Sequence, residues 1–175
     1  MATNLELKCR TKSLESAHAA ARSLGVQPTE ILLQTDVYFA VPRGRLKLRR
    51  IEGKPAELIQ YDREDAPAAR WSRYTKLEVG DPDVLEEMLR KALGIRGIIK
   101  KTRTLYLYGA ARIHLDSVEG LGAFLEFEIV ETEREEAGRL MDRLRSVFSV
   151  SQTDIIGGSY IDMVPAASGP EPMCR

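Results

Sequence analysis

Along most of this chain apolar and polar residues alternate, and alternation with period two marks a strand with two unlike faces. Leu5, Leu7 and Cys9 share one face of an opening strand, and Asn4, Glu6, Lys8 and Arg10 share the other. The same rule predicts strands near 4–10, 36–41, 45–52, 56–63, 70–79, 100–108, 111–117 and 123–131, punctuated by Gly44, Gly53, Gly109 and the stretch Gly120 to Gly122. Three segments change to helical period. Leu14, Ala17, Ala21 and Leu24 form one apolar stripe closed by Gly25. Asp81 and Pro82 supply an N-cap and a first-turn proline before Val84, Leu85, Met88, Leu89 and Leu93, with Gly94 as the stop. Thr132 and Glu135 make a capping box before Ala137, Leu140, Met141, Leu144 and Phe148. Eight strands with short turns and three helices predict an α+β fold: an eight-stranded antiparallel closed β-barrel with helices packed on the outside.

The polar faces carry an unusual content. Arg45, Lys47 and Arg49 oppose Leu46 and Leu48; Arg112, His114 and Asp116 oppose Ile113 and Leu115; Glu126 and Glu128 oppose Leu125, Phe127 and Ile129. Lys101 and Arg103 also share a face. A strand wetted on one side gives alternation too, but its outer face usually mixes Thr, Ser, Gln and Lys. Two or three full charges per strand, with three amphipathic helices to place, favour the inverse arrangement: helices cover the apolar outside and the charges line a lumen. Eight strands enclose room for a small ligand. The predicted lumen holds Glu6, Lys8, Arg10, Arg45, Lys47, Arg49, Lys101, Arg103, Arg112, Asp116, Glu126 and Glu128, which is eight basic and four acidic groups. Such a lumen is costly unless its charges are compensated. The basic groups suit a polyanion, arginine suiting phosphate oxygens bidentately. Carboxylates two residues apart suit a hard cation such as Mg²⁺ or Mn²⁺. Together these are the parts used in phosphoryl chemistry.

Composition adds exclusions. The chain has 175 residues, 26 Lys plus Arg and 26 Asp plus Glu, for a net charge of zero. That balance argues against a basic nucleic-acid coat and an acidic tail protein. With the proposed lumen removed, the remaining charges are 18 basic and 22 acidic, so neutrality would be the sum of a cationic interior and an anionic exterior. A hydrophobic content of 43% is too high for a disordered chain. No apolar run approaches the ~18 residues of a membrane span, and the N-terminus lacks a signal-peptide pattern. Cys9 and Cys174 cannot make a disulfide framework. A soluble cytoplasmic protein is expected, with one domain over 1–164 and a disordered tail over 165–175. Nothing signals nucleic acid, membrane or a protein partner, and a homodimer is left open.

In order and spacing these residues resemble the CYTH family, the triphosphate tunnel metalloenzymes, from Leu5 to about Asp162. The resemblance is carried by Asn4-Leu5-Glu6-Leu7-Lys8, by Gln34-Thr35-Asp36-Val37-Tyr38-Phe39, by Gly44 to Arg49, by Lys101-Thr102-Arg103, and most specifically by Arg112 to Gly122 followed by Phe124 to Glu128. The closing Ser159-Tyr160-Ile161-Asp162 is similar to the end of class IV adenylyl cyclases. The resemblance implies a triphosphate tunnel with one or two divalent metals, Mg²⁺ or Mn²⁺. Known members are class IV adenylyl cyclases and thiamine, inorganic and RNA triphosphatases. It implies that Glu6, Glu126 and Glu128 hold metal with Asp116 beside them. It also implies that Lys8 is the catalytic residue, near the reacting phosphate or orienting the water, and that Lys47, Arg49, Lys101, Arg103 and Arg112 clamp the phosphates. Arg10 and Arg45 join the clamp by strand parity. Two positions depart from the family: Asn4 replaces the first glutamate of the opening motif, and Tyr61 stands near the place of a lysine typical of many triphosphatases.

The expected activity is metal-dependent chemistry on a nucleotide, thiamine triphosphate or tripolyphosphate, either hydrolysis or cyclisation of ATP to cyclic AMP and pyrophosphate. The alternative is a catalytically weak binder of nucleotide or polyphosphate, motivated by Asn4. His114 is read as a structural hydrogen-bonding residue ahead of a catalytic base, and His18 as inert on an exposed helix side. Cys9 is read as a buried packing residue, Trp71 and Tyr74 as core or rim, and Arg63, Arg70 and Arg73 as solvated loop. The charge run at 133–136 is read as an exposed first helical turn, with Glu near its positive end.

Overall fold

The computed structural model describes residues 2–62, 65–130 and 133–165. Its strands are β1 (Ala2–Arg10), β2 (Pro28–Phe39), β3 (Arg45–Ile51), β4 (Ala56–Asp62), β5 (Arg70–Val79), β6 (Ile95–Tyr108), β7 (Ala111–Val118) and β8 (Gly122–Val130). They close into one antiparallel barrel in the order β1-β5-β4-β3-β2-β6-β7-β8, with β8 pairing back onto β1. The helices are α1 (Leu14–Ser23), α2 (Pro82–Leu93) and α3 (Arg134–Val147), and two short 3₁₀ turns follow at Gln152–Asp154 and Tyr160–Met163. Among the described residues no helix is long and apolar enough to cross a membrane.

The helices lie outside, as the alternation requires. Leu7, Cys9, Ile113, Leu115, Leu125, Phe127 and Ile129 project outward and are buried under Ala17 and Ala21 of α1 and Ala137, Met141 and Leu144 of α3. Each large side chain buried on this face contributes about 1.5–3 kcal/mol. α2 lies with Leu85 and Leu89 against Val37, Phe39 and Leu48. Ser13 caps α1 by accepting from the Ser16 amide at 3.2 Å, and Asp81 caps α2 by accepting from the Val84 amide at 3.1 Å. The N-cap of α3 is Glu133, without a side-chain cap bond; the expected Thr132 lies outside the described residues, as do Arg63 and the tail from 166 onward with Cys174.

Two strands are longer than the alternation predicts. β2 begins at Pro28 rather than 36, and β6 at Ile95 rather than 100. Consecutive apolar residues, Ile31-Leu32-Leu33 and Ile98-Ile99, break the period-two signal there. The two strands pair with each other along this length, with Leu33 opposite Thr102 and Val37 opposite Ile98. Ile31, Leu33 and Ile98 are left exposed on the ribbon so formed.

The lumen is not charged from end to end. At one end Ile59, Tyr61, Ile99, Val118 and Phe124 turn inward and pack with Tyr160 and Ile161 from the last 3₁₀ turn. Gly97 leaves room for this seat: a Cβ there would stand 2.6 Å from Cδ1 of Ile161, whose tip would have to shift. The barrel is therefore stoppered at this end by its own C-terminal segment.

Candidate active site

Between the stopper and the open end lies a belt of charge set by strand register. Glu6 is opposite Glu128 and Lys8 opposite Glu126 across β1 and β8. Arg112 and His114 of β7 stand opposite Glu128 and Glu126. Seven basic and five acidic side chains line the cavity: Lys8, Lys47, Arg49, Lys76, Lys101, Arg103 and Arg112, with Glu6, Asp36, Glu57, Glu126 and Glu128. Nine of the twelve residues assigned to the lumen from sequence are among them.

The other three are not. Arg10 is at the stoppered end, its guanidinium 5.1 Å from the Phe124 ring and 3.5 Å from the Leu121 carbonyl. Arg45 is at the same end, paired to Asp65 at 2.5 Å and Asp162 at 2.8 Å. Both have lumen parity but the wrong height along the barrel axis. Asp116 is fully buried beneath the cavity wall. Its oxygens accept from Lys101 Nζ at 2.9 Å, Arg103 Nε at 2.7 Å and Nη2 at 2.6 Å, and the Tyr160 hydroxyl at 2.8 Å. Fully buried and outside the cavity lining, Asp116 anchors these cations from behind the wall.

A second anchor is Asp36, within the motif Gln34 to Phe39. It is buried on β2 and accepts from Lys47 Nζ at 2.8 Å, Arg49 Nε at 3.0 Å and the Gln34 amide at 3.0 Å. Its signal was its parity: it alternates with Val37, which faces α2. Burial opposes ionisation of both aspartates. Arg49 and Lys47 nevertheless hold Asp36 well below the usual carboxylate range, and Arg103 and Lys101 do the same for Asp116. The lysines bear the cost. Burial, then Arg103, brings Lys101 down to about 7, and burial, then Arg49, brings Lys47 down to about 8.

On the facing wall Lys8 Nζ donates to Glu126 at 2.5 Å and lies 4.1 Å from the centre of the Tyr160 ring. Arg103 also donates to Glu126. Tyr38, Tyr61, Tyr74 and Tyr160 line the same cavity, with the Tyr61 and Ser159 hydroxyls 2.9 Å apart. Asn4 lines it too, buried, its Oδ1 without a hydrogen-bond partner among the described residues.

Several readings of single residues change. Arg70 is not in a solvated loop: it is buried on β5, 3.5 Å from Glu6, and donates to the Ala66 and Ile156 carbonyls. Arg73 is exposed on the same strand. Trp71 packs outside against the α3 core, under the Arg134 guanidinium at 4.9 Å. His18 is half-buried, its Nδ1 2.7 Å from the Tyr106 hydroxyl, and ties α1 to β6. Cys9 is buried in the outer core as expected. His114 is buried, and its Nδ1 has no partner within hydrogen-bond distance among the described residues, the Glu126 carboxylate standing 3.6 Å away. Burial, then Arg103, lowers its pKa. Donor atoms of His114, Glu126 and Glu128 lie within 4.8 Å of one another, so this corner of the belt fits a divalent cation.

A family model described as the CYTH domain matches residues 2–154. A Methanocaldococcus jannaschii protein named "Putative adenylate cyclase" is 22% identical over 171 residues, covering 91% of this chain and 97% of that one. A solved Pyrococcus horikoshii structure aligns with a TM-score of 0.84 at 24% identity, over 93% of this chain and 99% of its own. A Vibrio parahaemolyticus structure titled a "putative adenylate cyclase" gives 0.74 at 23% identity, over 93% and 97%. At these identities the likeness of the structures establishes the fold alone.

Proposed function

The chain belongs to the CYTH domain family, and from that premise we propose that it performs divalent-metal-dependent phosphoryl chemistry on a triphosphate held in the tunnel. One observation carries the reading. Two cation pairs, Lys47 with Arg49 and Lys101 with Arg103, are each fixed by a buried aspartate while lining one cavity. Preorganised cations facing carboxylates suit a phosphate chain, because little reorganisation is needed as charge develops.

In this reading Lys47, Arg49, Lys101 and Arg103 bind the phosphate oxygens, and Arg112 meets them at the open end. Glu126 and Glu128, with Glu6 across the register, would hold Mg²⁺ or Mn²⁺. Such an ion supplies charge neutralisation and polarisation of a phosphoryl oxygen. Lys8, held by Glu126, positions the attacking oxygen or the reacting phosphate. The tyrosines lining the cavity offer surface to an organic group on the triphosphate. Hydrolysis sends water to the terminal phosphorus and releases orthophosphate. Cyclisation sends a ribose 3′-hydroxyl to the α-phosphorus and releases pyrophosphate.

Incubating the protein with ATP, other nucleoside triphosphates, thiamine triphosphate and tripolyphosphate, each with Mg²⁺ or Mn²⁺, tests this. Cyclic AMP with pyrophosphate identifies a cyclase and orthophosphate a triphosphatase. Saturable binding without turnover of any compound supports the second reading, a binder, which the neutral Asn4 in the cavity wall favours.

A further inference from the structure

We propose that His114 Nδ1 is a metal ligand, completing with Glu126 and Glu128 a one-nitrogen, two-carboxylate site that takes Mn²⁺ or Co²⁺ in preference to Mg²⁺. This rests on the function above only in expecting a divalent ion in the tunnel. His114 is 5% exposed, and its Nδ1 lies 3.6 Å from Glu126 Oε2 and 3.9 Å from Glu128 Oε1. These separations are too wide for hydrogen bonds. They match two ligands of one ion, since nitrogen and oxygen donors sit about 2.1 Å from such metals and thus roughly 3–4 Å from each other. Register explains the convergence: His114 stands opposite Glu126 on adjacent strands, and Glu128 follows on the same face. A buried nitrogen without a hydrogen-bond partner, aimed between two carboxylates, is what distinguishes this corner from an ordinary acidic cluster.

The rest of the belt is consistent with it. β1 brings the neutral Asn4 and Glu6, whose carboxylate faces Arg70 at 3.5 Å. Two cations already meet Glu126, Lys8 Nζ at Oε1 at 2.5 Å and Arg103 at Oε2, and a bound ion would compete with both; Arg103 keeps two further bonds to Asp116. An ion at Glu126 would therefore displace one Arg103 donor while Asp116 still holds the guanidinium. Imidazole favours the later first-row ions, whereas Mg²⁺ prefers oxygen ligands and keeps its waters.

The test uses the untagged full chain with Mn²⁺ alone, without triphosphate. Electron spin-echo modulation should show histidine nitrogen coupled to bound Mn²⁺. The signal should persist in His18→Gln, because His18 and His114 are the chain's two histidines. In His114→Gln the coupling should vanish, and the preference for Mn²⁺ or Co²⁺ over Mg²⁺ should fall at least ~10-fold with Mg²⁺ affinity little changed. Failure to bind Mn²⁺, bound Mn²⁺ without nitrogen coupling, or an unaltered preference in His114→Gln overturns the proposal. Nitrogen coupling in a protein that turns over no triphosphate counts against the function alone; turnover without the coupling counts against His114 alone.

Discussion

Tyr160, from the last described turn of the chain, donates its hydroxyl to Asp116 at 2.8 Å, and Asp116 in turn holds Lys101 and Arg103. The C-terminal segment is thus wired to the Lys101–Arg103 cation pair through a single buried carboxylate. Removing only the hydroxyl, in Tyr160→Phe, should cost about 1 kcal/mol by denaturant unfolding, the net worth of one hydrogen bond. Tyr160→Ala should cost about 3 kcal/mol or more, because a cavity opens beside Phe124, whose ring centre is 4.8 Å away. Equal costs would mean that the hydroxyl, not the ring, seats the stopper.

Asp36 should behave as a buried counter-ion. Asp36→Asn leaves Lys47 and Arg49 together without their charge partner, at a cost of about 3–5 kcal/mol. Tripolyphosphate should restore part of that loss, so the rise in Tm on adding it should be larger in the variant than in the parent. A smaller rise would show that the clamp collapses without its anchor.

Affinity for a polyanion should fall as pH rises through the region of Lys101, at about 7, and Lys47, at about 8. Both lysines lose charge there, and a polyanion is attracted by the charged forms. Stability moves in the other sense. Unfolded lysines keep their protons up to about 10.5, so from about 7 to 10.5 the unfolded state binds more protons, and these two groups make stability rise with pH. Calorimetric titration of tripolyphosphate between pH 6 and 9 checks the first trend. Lys101→Arg, which keeps its charge, should remove the lower limb of the profile.

Glu126→Ala and Lys8→Ala should each lower the rate at least ~10²-fold on the substrate that is turned over, if both act at the transition state. Steady-state kinetics with folding checked by circular dichroism decides this; unchanged rates in both variants would remove these residues from the chemistry. Asn4→Glu should strengthen Mg²⁺ binding by adding a carboxylate to the cavity wall, measured by titration with Mg²⁺ alone.

Strand parity made the face of each residue legible before its height. Leu5, Leu7 and Cys9 were assigned outward, and Glu6 and Lys8 inward, from alternation alone, and the structure agrees. Arg10 and Arg45 pass the same test, yet they stand at the stoppered end, because a period of two carries no information about position along a barrel axis. The apolar plug is not legible either: Ile99 and Val118 lie just beyond the strands that alternation predicts, and Phe124 shares the inward face with Glu126. Asp36 and Arg70 needed the pairing of distant strands. Asp36 is an anchor only because β3 brings Arg49 opposite it, and Arg70 is buried only because β1 brings Glu6 opposite it.

The stopper makes the tunnel a cul-de-sac. In the proposed function a phosphate chain would then enter and leave on the side away from Tyr160 and Ile161, and would not be threaded through. On that reading the depth of the cavity down to the Tyr160 ring would limit how many phosphates reach the buried cations. Lengthening a polyphosphate beyond that number should add no affinity, because the extra units stand outside the barrel in water.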